Sequence, residues 1–250
     1  MQSLNLSPLA TVIIYSSITA VATGLGAVPF IFSRNLSRRL LALAGAFAAG
    51  IMAAASFNLI YEGLNYSMWR TVGGIGLGVL FIYLTQTRLS HENELSVGAL
   101  SGADAKKALM IVGVMTLHSF AEGVGVGVSF GGGEEFGAFI SLAIAVHNIP
   151  EGLAISLILI PRGVKVWKAG LWSIFSSLPQ PLVAIPAFLF VQAFNPFLPI
   201  GLGLAAGAMI WMLTSELIPD ALEDAPKEQV ATVTTLAVGA MTAFQAIVHF

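Results

Sequence analysis

The chain has 250 residues and a formal net charge of −2, with 56% hydrophobic and only 10% charged residues. Soluble domains carry about 25% charged residues, so the composition excludes an ordinary soluble domain and points to a polytopic membrane protein. Cysteine is absent, which excludes disulfides, thiolate metal sites and iron–sulfur clusters, and nothing in the charge balance calls for a nucleic-acid partner.

Breaks at charged and turn-rich stretches divide the sequence into eight apolar segments, at about 8–32, 40–64, 68–88, 106–130, 136–160, 166–193, 197–220 and 229–249. They read as one transmembrane domain over 1–250. Residues 1–7 lack a positive n-region, so no cleavable leader is expected. Orientation follows from Lys and Arg. Arg34, Arg38 and Arg39 follow the first segment; Arg88, Lys106 and Lys107 follow the third. Arg162, Lys165 and Lys168 follow the fifth, and Lys227 follows the seventh. Only Arg70 lies on the opposite face. Eight spans with that asymmetry put both termini outside the cytoplasm.

The first segment carries Gly24, Gly26 and Pro29, read as close packing plus a kink. After the third, the 89–105 loop holds His91, Glu92, Glu94 and Asp104. It reads as a solvated linker, with weak metal collection as the rival. The fourth and fifth segments hold His118-Ser119-Phe120-Ala121-Glu122-Gly123 and His147-Asn148-Ile149-Pro150-Glu151-Gly152, the same His, polar, two residues, Glu, Gly pattern twice. The sixth contains Pro179-Gln180-Pro181 and Pro186, a bent or broken helix in which Gln180 counts for a minor polar contact at most. The eighth ends with Gln245 and an interfacial His249.

The second and seventh segments resemble each other. Ala48-Ala49-Gly50-Ile51-Met52 matches Ala205-Ala206-Gly207-Ala208-Met209. With one residue inserted in the seventh segment, Asn58 then pairs with Glu216 and Glu62 with Asp220. An even and an odd span run in opposite directions, so the copies are inverted, as in many transporters with a site near the midplane.

Residues four apart share one helix face, so each motif presents its His and Glu together. A hairpin folded between Glu134 and Glu135 brings His118 level with Glu151 and Glu122 level with His147. At about 1.5 Å per residue, Glu122 lies about 12 Å and His118 about 18 Å below the end of the fourth span. Both are then near the middle of a hydrocarbon core about 30 Å thick. A charge at that depth costs at least about 2.5–3.5 kcal/mol, so the carboxylates must be paired, protonated, hydrated or bound to a cation. Two imidazoles and two carboxylates suit a divalent transition metal and neutralise it. Glu122 and Glu151 could bridge two ions, one with His118 and His147, the other with Ser119, Asn148, Glu216 and Asn58. Pro150 frees a backbone carbonyl or simply kinks the helix. The His-Glu-x-x-His order of zinc hydrolases is absent, and the chain reads as no enzyme, with no prosthetic group. Two rival functions stay open: a membrane haem or redox protein using His118 and His147, and a proton-conducting helical bundle relaying through Glu122 and Glu151.

The two motifs resemble those on the fourth and fifth helices of the ZIP (Zrt-, Irt-like) divalent-metal transporters, and the short-loop form is similar to the GufA branch. The likeness extends to Gly24-Leu25-Gly26-Ala27-Val28-Pro29, Ser56-Phe57-Asn58 and Glu216-Leu217-Ile218-Pro219-Asp220. It implies an all-α integral membrane protein of eight transmembrane helices in an inverted 3+2+3 repeat, with extracytoplasmic termini. It also implies a homodimer in the plasma (inner) membrane, an elevator-like slide of one helix bundle against another, and movement of Zn²⁺, or of Fe²⁺, Mn²⁺ or Cd²⁺, into the cytoplasm. Carried over, His118, Glu122, His147 and Glu151 form one metal site, and Ser119, Glu122, Asn148, Glu151, Glu216 and Asn58 a second. Many members have Asn where this chain has Ser119.

Overall fold

The computed structural model describes residues 7–32, 37–89, 103–160 and 163–248; side chains 85–89, 103–114, 117, 118, 158, 247 and 248 lie outside that description. The helices in chain order are α1 (Pro8–Leu25), α2 (Pro29–Phe32), α3 (Arg38–Tyr66), α4 (Met68–Leu89), α5 (Ala103–Gly131), α6 (Glu134–Leu159), α7 (Val166–Ser176), α8 (Pro179–Ala193), α9 (Leu198–Met212), α10 (Ile218–Asp224) and α11 (Lys227–Val248). The described residues contain no strand. Pro8–Phe32, Arg38–Tyr66, Glu134–Leu157, Val166–Ala193 and Asn195–Asp224 are long and apolar enough to cross a membrane. Many large apolar side chains, among them Ile18, Val21, Phe57, Leu182 and Leu236, face outward. In water such a surface would be costly; against lipid it is not. The chain is therefore a multi-pass membrane protein.

Local chemistry sets the helix ends. Ser7 and Ser37 cap α1 and α3 by accepting from Ala10 N and Leu40 N, which satisfies otherwise orphaned donors. Between α5 and α6 the chain turns at Gly132–Gly133, and Gly133 takes φ +133°, a conformation that side chains disfavour. The turn thus falls earlier than the Glu134/Glu135 midpoint expected from sequence. Glu134 and Glu135 instead open α6, where their charge complements the helix N-terminus. The sixth segment is broken, as its prolines suggested: α7 stops at Ser176 and α8 starts at Pro179, which has no N–H to continue the ladder. Thr23 and Ser177 hydroxyls meet at 2.7 Å beside that break.

The helices gather into two groups. One comprises α1, α5, α6, α7 and α8; the other α3, α4, α9, α10 and α11. The groups touch mainly through α3 on α6 and α5 on α9. Within groups, contact relies on glycine. Gly78 of α4 lies on the Leu204 carbonyl and Gly207 of α9 on the Ile75 carbonyl, so no Cβ fits at either position. Small residues let membrane helices approach this closely. Gly78→Val should therefore cost about 3 kcal/mol of packing and lower the melting temperature of detergent-purified protein by several degrees; an unchanged melt would contradict this contact.

Between α9 and α10 the helix widens into a π turn, Leu213–Leu217. A π turn holds one more residue than an α turn. The resemblance between the second and seventh segments required one inserted residue between Met209 and Glu216, an interval that this π turn overlaps. The corresponding stretch of α3 stays α-helical.

Candidate metal centre

The centre lies where α5, α6 and α8 meet. Glu122 of α5 and His147, Asn148 and Glu151 of α6 are buried. The ligand-type atoms of Glu122, His147 and Glu151 all lie within 4.8 Å of one another. Glu122 Oε1 contacts His147 Nε2 directly. His147 Nε2 is 3.9 Å from Glu151 Oε1, one helical turn on. The expected levelling of Glu122 with His147 is thus present, although the turn lies elsewhere. The side chain of His118 lies outside the described residues, as do His91, Glu92, Glu94, Asp104 and His249.

The glycine ending each motif explains how four helices converge in two close pairs. A Cβ on Gly123 would sit 2.7 Å from the Gln180 carbonyl oxygen, and one on Gly152 would fall on the Thr23 carbonyl oxygen. Each glycine, next to its glutamate in sequence, lets a partner backbone come into contact: α8 on α5, α1 on α6. Gly26 reciprocates from the first segment, against the backbone at Gly152 and Leu153. The reading of Gly24 and Gly26 as packing residues agrees with this.

Gln180 is the residue that sequence reasoning undervalued. Its Nε2 donates to Glu122 Oε2 at 2.5 Å, and its Oε1 accepts from Asn148 Nδ2 at 3.2 Å. Asn148 Nδ2 also donates to the Thr19 carbonyl at 2.8 Å. Gln180 is fully buried. The available signal was a lone amide between two prolines in an apolar run, where an unpaired polar group is expensive.

The remaining expected residues separate. Ser119 is buried, and among the described residues its Oγ has no hydrogen-bond partner; the same holds for Asn148 Oδ1. Buried polar atoms are nearly always bonded, so two bare oxygens on the helices that carry the clustered groups, Ser119 three residues before Glu122 and Asn148 next to His147, fit a place built for a cation. Asn58 donates to the Ala54 carbonyl at 3.0 Å and lines a separate cavity of 920 Å³, with Glu62, Glu134, Glu135 and Tyr15. Glu216 sits in the π turn, half-buried, and is not one of the three clustered groups. A second cavity, of 180 Å³, reaches Glu151 and Pro150 from the face carrying Arg38, Asp220 and Asp224. Two cavities, one on the Glu134/Glu135 side and one on the Arg38 side, thus flank the buried groups.

A profile described as "ZIP Zinc transporter" matches residues 74–245, more than half the chain. The chain belongs to the ZIP family. Its relatives include a Zinc transporter GufA of Myxococcus xanthus, 31% identical over 83% of this chain and 87% of its own length. Zinc transporter ZIPB of Bordetella bronchiseptica is 35% identical, over 89% of this chain and 74% of its own. An Arabidopsis thaliana protein named as a candidate zinc transporter is 49% identical over 98% of this chain, which spans 40% of that protein's length. ZIP homologues are transporters rather than enzymes, and the clustered motif residues all fall inside the matched region of this ZIP chain.

Proposed function

We propose that this chain carries divalent transition metal, zinc foremost, into the cytoplasm through Glu122, His147 and Glu151, with His118 joining from one helical turn before Glu122. The observation that carries the reading is the buried, mutually close Glu–His–Glu group, on helices that also carry two unpartnered buried oxygens. Carboxylate charge offsets the 2+ ion, and imidazole favours transition metals over Mg²⁺ or Ca²⁺. Relatives named as zinc transporters support zinc as cargo; Fe²⁺, Mn²⁺ and Cd²⁺ suit the same donors.

With eight spans and extracytoplasmic termini, the Glu62/Glu134/Glu135 cavity opens outside and the Arg38/Asp220 cavity inside. Asn58 then stands on the way in, and Glu216, adjacent to Leu217 of the inner cavity wall, on the way out. The clustered groups and Gln180 all belong to the α1/α5/α6/α7/α8 group, so sliding that group against the other would move the bound ion with it. This is the elevator reading; it works in the plasma (inner) membrane, as a homodimer. A bis-His haem reading has less support, because His147 Nε2 faces Glu122 rather than an open axial position.

The test is uptake into proteoliposomes offered Zn²⁺, Fe²⁺, Mn²⁺ and Cd²⁺ in competition, with and without a pH gradient. Zinc should accumulate, and the other ions should compete. Purified protein that moves none of the four, or that shows a haem Soret band lost in His147→Ala, would overturn the proposal.

A further inference from the structure

The hydrogen bonds around Gln180 fix more than its own position. The Gln180 amide NH₂ faces Glu122 Oε2, the orientation that a carboxylate, when ionised and able only to accept, requires. Its carbonyl then faces Asn148, which must offer its own NH₂. The Thr19 carbonyl, also an acceptor, requires the same orientation of Asn148. Two independent acceptors therefore turn Asn148 Oδ1 away from both, leaving it buried without a hydrogen-bond partner among the described residues. The chain of donors runs in one direction only, from Asn148 to Gln180 to Glu122.

Glu122 is, with Glu151, one of the two carboxylates expected to bridge two ions. One of its oxygens meets His147 and the other meets the Gln180 amide. We propose that Gln180 stands in for a second cation: its N–H occupies Oε2 of Glu122, so the centre takes one divalent ion per chain instead of two. The inference rests on the transport reading above and narrows it. Gln180, Asn148 and Ser119 are all neutral, and among the described residues the clustered carboxylate groups are Glu122 and Glu151. Two carboxylates balance one 2+ ion; a second ion would leave two uncompensated charges in a low-dielectric interior, which is costly. Gln180 also holds the Glu122 carboxylate in one rotamer for the first ion. It is thus a positioning residue that sets stoichiometry, on a segment broken at Pro179 and brought close by Gly123.

The experiment counts zinc bound per chain in detergent, after chelation and re-loading, by calorimetry and elemental analysis. The zinc lost on Glu122→Ala reports the centre itself and discounts zinc held elsewhere on the chain. Wild type should lose one ion per chain on that substitution. Gln180→Glu replaces the amide donor with a third carboxylate facing Glu122, and should raise the count to two. A wild-type count of two, or a folded Gln180→Glu protein that still binds one, would overturn the proposal. If Gln180→Glu does not fold, the wild-type count alone decides. Wild type and Glu122→Ala binding equal amounts of zinc would instead overturn the transport reading on which this rests.

Discussion

Zinc uptake into proteoliposomes should fall more than 100-fold in Glu122→Ala, to about 1% of wild type. Glu122 is fully buried and gives one oxygen to His147 and the other to Gln180. Its removal leaves an imidazole and an amide without their acceptor, and halves the negative charge that offsets the ion. Losing one partner of a buried charged pair costs about 3–5 kcal/mol, and about 3 kcal/mol is already more than 100-fold in affinity. Glu122→Gln separates charge from shape. It fills the same volume and can still meet Gln180, yet it should fall nearly as far, because the carboxylate charge is what the ion requires. Glu151→Ala should behave like Glu122→Ala. The protein must first be shown to melt cooperatively and elute as wild type. Wild-type uptake in the folded Glu122→Ala, Glu151→Ala double variant would sink the proposed route.

Register was the part of the centre most legible from sequence. The i, i+4 spacing of each motif and a glycine turn between them were enough to pair Glu122 with His147, because helical geometry leaves little freedom once both helices and their connection are known. The turn itself was read too late: Glu134 and Glu135 looked like loop residues by polarity, but at the start of α6 they complement the helix N-terminus. The seventh segment was legible in an unexpected way. A one-residue mismatch between two resembling stretches has a physical counterpart in the Leu213–Leu217 π turn. Gln180 was not legible, because its importance depends on which helix lies opposite. Nothing in Pro179-Gln180-Pro181 says that Gly123 makes room for it. Asn58 and Glu216 show the converse limit. Their polarity inside apolar segments was plain, but polarity alone does not distinguish the buried cluster from the cavities on either side, and Asn58 proved to line the cavity with Glu134 and Glu135.

Gly152→Ala should abolish uptake as completely as losing a ligand, although it adds only a methyl group. That methyl would fall on the Thr23 carbonyl oxygen of α1, with the Thr23 carbonyl carbon 2.7 Å away. The obstacle is backbone, so no side-chain rotation relieves it; α1 and α6 must part. One turn earlier on each helix, Asn148 donates to the Thr19 carbonyl at 2.8 Å. Parting the helices breaks that bond, frees Asn148 from the orientation that Gln180 and Thr19 enforce together, and shifts the neighbouring Glu151. Overpacking of this kind costs about 1–3 kcal/mol or more in stability, so the melting temperature should drop together with uptake. Gly239→Ala is the matched comparison. It lies in α11, and among the described residues nothing beyond its chain neighbours and its own helix backbone comes within 4 Å of the added methyl; alanine in a helix interior is favoured over glycine by about 0.5–1 kcal/mol. It should leave uptake unchanged and the melt equal to or above wild type. Equal behaviour of the two variants would mean that contact between α1 and α6 at Gly152 does not hold the centre in place.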